Sequence, residues 1–110
     1  MSREKEREKE GVSGKMRTLV IMGKTTNNGE ATEVTLSNAP PLASIIAGDL
    51  FVASSSSRTA LTVVSDTPDA NGEIQLTATN KFKLYLDTGM TVNDILVLQV
   101  EVVGEKVAVE

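Results

Sequence analysis

With 110 residues the chain can hold one domain with a core but not two. It contains no cysteine and no histidine, which removes disulfide frameworks, thiolate nucleophiles, Cys/His zinc sites and the imidazole general base. A net charge of −4 and a pI near 4.8 leave no basic footprint for nucleic acid.

Residues 1–10, MSREKEREKE, alternate Arg3, Lys5, Arg7 and Lys9 with Glu4, Glu6, Glu8 and Glu10. A helix there would pair opposite charges three apart but like charges four apart, with no apolar face to bury. The segment therefore reads as a charged N-terminal arm, joined at Gly11–Gly14 to a domain over 15–110. No hydrophobic stretch of the signal type follows the charged start, and no apolar run approaches the ~20 residues that span a bilayer. A secretory signal and a membrane partner are not expected, and the default location is cytoplasmic.

Met16–Met22 and Ala31–Leu36 read as two strands, and Asn28-Gly29 between them supplies the positive-φ positions of a hairpin turn. Pro40-Pro41 cannot continue a central strand. Leu42–Ala47 after them reads as one helical turn, or as a loop dropping Ile45 and Ile46 into the core. Leu50–Ala53 is a short strand, Ser54–Ser57 a polar loop, and Thr59–Val64 a further strand. Ser65–Glu73, with Pro68 and Asn71-Gly72, is the longest turn region. Ile74–Thr79 and Lys81–Leu86 alternate cleanly, the latter placing Phe82, Leu84 and Leu86 on one side. Only three aromatic residues occur, of which Phe51 and Phe82 read as core; Tyr85 shares a side with Lys81 and Lys83.

The strongest structural signal is Met90–Val103. Its β-branched composition favours a strand. Ile95-Leu96-Val97-Leu98 is apolar on both faces, as a strand covered on both sides would be, whereas Gln99–Val102 alternates. Lys106–Val109 completes the series as an edge strand. Eight or so short strands with Gly, Pro, Asn or Asp between them give an all-β class, a single-domain β-sandwich or small β-barrel.

Candidate chemistry is sparse. Gly23-Lys24-Thr25 lacks the glycine five residues earlier that a phosphate loop requires, since Thr18 stands there. Asp66, Asp69, Asn71 and Glu73 form a weak calcium candidate, but the twelfth ligand position, counted from Asp69, is Asn80. Asp49 and Asp94 are the acids flanked by apolar sequence, each directly before a strand, where capping a turn explains them. Their surroundings, Ala47–Val52 and Val92–Val97, form a faint repeat. Ser54–Ser57 offer hydroxyls without a histidine to activate them. No catalytic residue, cofactor or firm metal site is assigned, and the chain is not expected to be an enzyme.

What remains is binding or assembly. The charged arm Met1–Gly14, the hydroxyl-rich strands Ala31–Leu36 and Thr59–Val64 and the compact β series together resemble, in texture, the small structural proteins of phage or viral particles of the capsid-decoration or head-fibre type. That resemblance implies a virion component, a homo-oligomer, often a trimer, whose arm or edge strand docks on a major capsid protein lattice. The assembly residues it points to are Arg3, Glu4, Lys5, Glu6, Arg7 and Glu8 in the arm, and Lys106, Val107 and Val109 at the edge. The other class is a small ligand- or carbohydrate-binding β module, disfavoured by the shortage of aromatic platforms.

Overall fold

A computed structural model describes residues 15–103. Eight strands form: β1 (Lys15–Met22), β2 (Glu30–Thr35), β3 (Leu42–Val52), β4 (Ser57–Ala60), β5 (Thr62–Val63), β6 (Glu73–Ala78), β7 (Lys81–Leu86) and β8 (Ile95–Val102). They make two four-stranded sheets, ordered β1-β8-β3-β4 and β2-β7-β6-β5. The architecture is a small β-sandwich. The arm 1–14 and the expected edge strand Lys106–Val109 lie outside the described residues.

The core lies between the sheets. From one side come Ile21 of β1, Leu42, Ile45 and Leu50 of β3, and Leu96, Leu98, Val100 and Val102 of β8. From the other come Val34 and Leu36, Ile74, and Phe82, Leu84 and Leu86. Met90, in the loop before β8, closes one end and is itself buried. Phe82 is the one ring in this core.

β8 is central, as its composition implies, with β1 and β3 antiparallel on either side. It alternates along its whole length, however. Leu96, Leu98, Val100 and Val102 point inward, and Ile95 and Val97 point outward, where they are half-buried among neighbouring side chains. The outer cover that the apolar run Ile95–Leu98 implied is absent among the described residues.

Three other expectations are corrected. β1 and β2 do not form a hairpin: β1 pairs with β8 in one sheet and β2 with β7 in the other. The loop between them instead crosses the sandwich, held by Thr26 N–H on the Met90 carbonyl (3.0 Å) and Gly29 N–H on the Leu86 carbonyl (2.8 Å). Gly29 does adopt the positive φ its turn position calls for.

Leu42–Ala47 is neither a helical turn nor a plug but the first half of the 11-residue β3. Its inward residues are Leu42, Ile45, Gly48 and Leu50, because the register against β8 slips between Leu42 and Ser44 and again between Ile45 and Ala47. Each bulge adds a residue to the period-two pattern, so the spacing imitates a helix and Ile46 is left outside. Gly48 sits where the layers close tightly: a Cβ there would stand 2.7 Å from Leu98 Cδ2 and 3.0 Å from Leu61 Cδ1, so both leucine side chains would have to shift.

Thr59–Val64 is two strands in different sheets. Leu61 N–H still bonds the Gly48 carbonyl beside β3, and the next amide, Thr62 N–H, bonds the Gly72 carbonyl beside β6. The chain changes layers between adjacent residues without a glycine or proline to announce it. The repeat of Ala47–Val52 in Val92–Val97 has no structural counterpart, since Asp49 sits within β3 and Asp94 precedes β8.

Candidate functional site

The outer face of the β1-β8-β3-β4 sheet carries polar cross-strand pairs toward one end, with the exposed Met16 beside them, and mainly apolar rows toward the other. At the polar end, directly opposed side chains satisfy one another. Thr18 Oγ1 donates to Gln99 Oε1 at 2.9 Å and Ser44 Oγ to Glu101 Oε1 at 3.3 Å. Toward the apolar end the cross-strand rows run Val20–Val97–Asp49 and Met22–Ile95–Phe51–Arg58. Asp49, whose position within a strand replaces the turn cap expected from sequence, is neutralised by Arg58 Nε at 3.3 Å. Val20, Met22 and Phe51 remain 61%, 64% and 41% exposed.

Phe51 is therefore a surface ring, not a core one. Beside it lies a depression of about 190 Å³ lined by Ile95, Asn93, Ser56 and Ser57. That is smaller than the roughly 300–1,000 Å³ typical of small-molecule sites.

β1 also forms the end of its sheet, bonded to β8 alone among the described residues. It runs eight residues in unbroken register, without bulge, proline or glycine, and its charges, Lys15 and Arg17, stand at one end. Natural edge strands are usually short, bulged or guarded by charge. The other sheet ends follow that rule: β4 has four residues, β5 has two, and β2 carries Glu33 opposite Lys83 with Lys81 Nζ 4.0 Å from its carboxylate. Alongside Leu19–Met22 the sandwich formed by the described residues is open at its side. A groove of about 360 Å³ separates these residues from Leu36–Pro40, and Leu19 is only half-buried in its wall.

The acidic loop is organised as a turn. Glu73 Oε1 accepts the N–H of Asp69 (2.9 Å) and of Ala70 (3.3 Å), and Asn71 Oδ1 accepts the N–H of Asp87 (2.9 Å). The Asp69 amide holds the Glu73 carboxyl below its ordinary range against slight desolvation. Asp66, Asp69, Asn71 and Glu73 are thus neighbours whose oxygens face backbone amides in two cases. Among the described residues no three acidic side chains gather in a group that could hold a metal ion.

Asp94 is a cap, as its place before a strand implies. It is 3% exposed, with Oδ1 accepting Ala53 N–H and Oδ2 accepting Thr91 N–H, both at 2.9 Å. Burial alone would raise its carboxyl. The two amides and the Thr91 hydroxyl outweigh that and hold it below the ordinary aspartate value. Ser55 and Ser57 hydrogen-bond each other at 2.6 Å. Among the described residues there is no helix, and so none long and apolar enough to cross a membrane.

The assembly residues expected from sequence, Arg3 to Glu8 and Lys106, Val107 and Val109, lie outside the described residues. The apolar patch of exposed Val20, Met22 and Phe51 around the half-buried Ile95 was not among them. Its signal is present in the sequence as two runs, Leu19–Met22 and Ile95–Leu98, apolar on both faces and now seen to be adjacent strands. No protein-family model matches the chain, and neither a curated protein nor a solved structure matches it significantly.

Proposed function

We propose that the chain is a non-enzymatic assembly protein that self-associates and docks through the β1 edge and the apolar row beside it. One observation carries this reading. Two neighbouring strands, Leu19–Met22 and Ile95–Leu98, are apolar on both faces, yet among the described residues the sandwich covers only one. Isolated exposed apolar side chains are ordinary, but a contiguous row at an unguarded sheet edge is a surface built to be covered. The texture shared with phage and viral structural proteins gives the setting: a capsid-decoration component on a major capsid protein lattice, acting as a homo-oligomer.

Size-exclusion chromatography with light scattering tests the self-association. The full chain is expected to elute at a multiple of its 11.7 kDa mass. A monomer at every concentration, unaltered when residues 1–14 are removed, would sink the proposal. The setting is tested by the neighbouring genes. Capsid, portal and terminase genes support the decoration reading; a hydrolase gene would favour a carbohydrate-binding module, for which Phe51 beside Ser56, Ser57 and Asn93 offers a small platform.

A further inference from the structure

We propose that the groove beside β1 receives the C-terminal segment Lys106–Val109 of a second copy, which adds to the sheet as a fifth strand. The inference rests on the self-association proposed above and names the contact that produces it.

The groove defines its occupant in two ways. Its wall includes the edge of β1, whose outward backbone groups have no strand partner among the described residues and call for an extended segment to continue the ladder. Its lining includes the half-buried Leu19 and the buried Leu36, which call for small apolar side chains on one face of that segment. In Lys106-Val107-Ala108-Val109 the two valines share a face, and Lys106 lies on the other with Ala108. The four residues match the four of β1, Leu19–Met22, that line the groove. The arm 1–14 has no comparable pair, since its apolar side chains are Met1 and Val12.

The chain's own segment cannot fill the groove with Lys106 set beside Leu19. Val102 stands opposite Lys15, so the C-terminal residues leave β8 at the far end of β1 from the groove. Setting Lys106 beside Leu19 means advancing about 13 Å along β1 and about 10 Å across it, at the usual rise and strand spacing. Even a straight path, which would pass through β1 itself, is roughly 16 Å, and the four residues after Val102 extend to at most about 14 Å. In that register the segment comes from a neighbour.

Each chain then has one donor segment and one acceptor edge, a heterologous contact that closes into a ring when the rotation allows. Two full-length variants separate the halves. Leu19→Lys places a charge at the groove, the way natural edges are guarded; Val107→Asp with Val109→Asp spoils the donor. Each alone is expected to be a monomer by light scattering, with the far-UV circular dichroism of the parent. Mixed, they are expected to give a one-to-one heterodimer, because one intact donor meets one intact edge and the chain of contacts stops. A synthetic peptide of residues 104–110 in excess is expected to dissociate the parent assembly, which keeps the test decisive if Leu19→Lys does not fold.

Retention of the parent mass by the Val107/Val109 variant would overturn the inference and leave the edge to another copy's β1 or to the arm. A parent chain that is monomeric throughout would instead overturn the self-association itself.

Discussion

Asp94 ties the end of β3 to the start of β8, and its removal is the sharpest single test of how the fold is held. Its two carboxylate oxygens accept the amides of Ala53 and Thr91 at 2.9 Å each. A hydrogen bond to a charged group contributes about 1.5–3 kcal/mol. Ala53 and Thr91 are exposed, so water can take up the freed amides and the lower end applies. Asp94→Ala should therefore cost about 3 kcal/mol in all. For a domain of this size that lowers the melting temperature by about 10–20 °C, readable by circular dichroism at pH 7.

The pH dependence follows from the direction of the shift. The folded carboxyl lies below its ordinary 3.8, so its stabilisation is complete above that value and is lost as pH falls through the folded pKa. The gap between parent and variant should hold steady from pH 7 to 5 and narrow below pH 4. A variant melting within about 2 °C of the parent at pH 7, or a gap undiminished at low pH, would refute the assignment of Asp94 as a charged cap.

Glycine positions offer a paired comparison. Gly29 and Gly89 both have φ near +60°, but a Cβ meets nothing within 4 Å at Gly29 and stands 2.5 Å from the Thr26 carbonyl oxygen at Gly89. Gly29→Ala should cost about 1 kcal/mol and Gly89→Ala about 2–4 kcal/mol in urea unfolding. Leu98→Ala, in the middle of the core, should lose about 2–5 kcal/mol. Phe51→Ala should change monomer stability by less than about 1 kcal/mol while weakening assembly, which separates its surface role from the core one its sequence suggested. Arg58→Ala should stay within about 0.5 kcal/mol, since Arg58 is exposed and its partner Asp49 only half-buried.

The all-β class and most strands were legible because the alternation of β2, β6, β7 and the second half of β8 reflects a single buried face, the β-branched composition marks the rest of β8, and the turns between them carry Gly, Pro, Asn or Asp. Partnering was not. The period-two pattern says which side of a strand is buried and not which strand lies beside it, so β1 and β2 read as a hairpin although each joins a different sheet. β3 was hidden by its two bulges, whose three-residue spacing of Leu42, Ile45 and Gly48 mimics a helix. The layer change at Leu61 was hidden because nothing in Thr59–Val64 breaks a strand. The candidate surface was half legible. The double-faced apolar runs were visible, but only their adjacency in the sheet turns them into one row, and only the bulged register of β3 brings Phe51 onto it.

Hydrogen exchange along β1 tests the assembly surface most directly. Half the amides of an isolated edge strand point to water and exchange quickly, whereas an added strand or a covering partner protects them. On raising the protein concentration, the fast amides within Arg17–Met22 are expected to slow while those of β4, the opposite end of the same sheet, do not change. Equal exchange along β1 at all concentrations would contradict the claim that this edge is where the chain assembles.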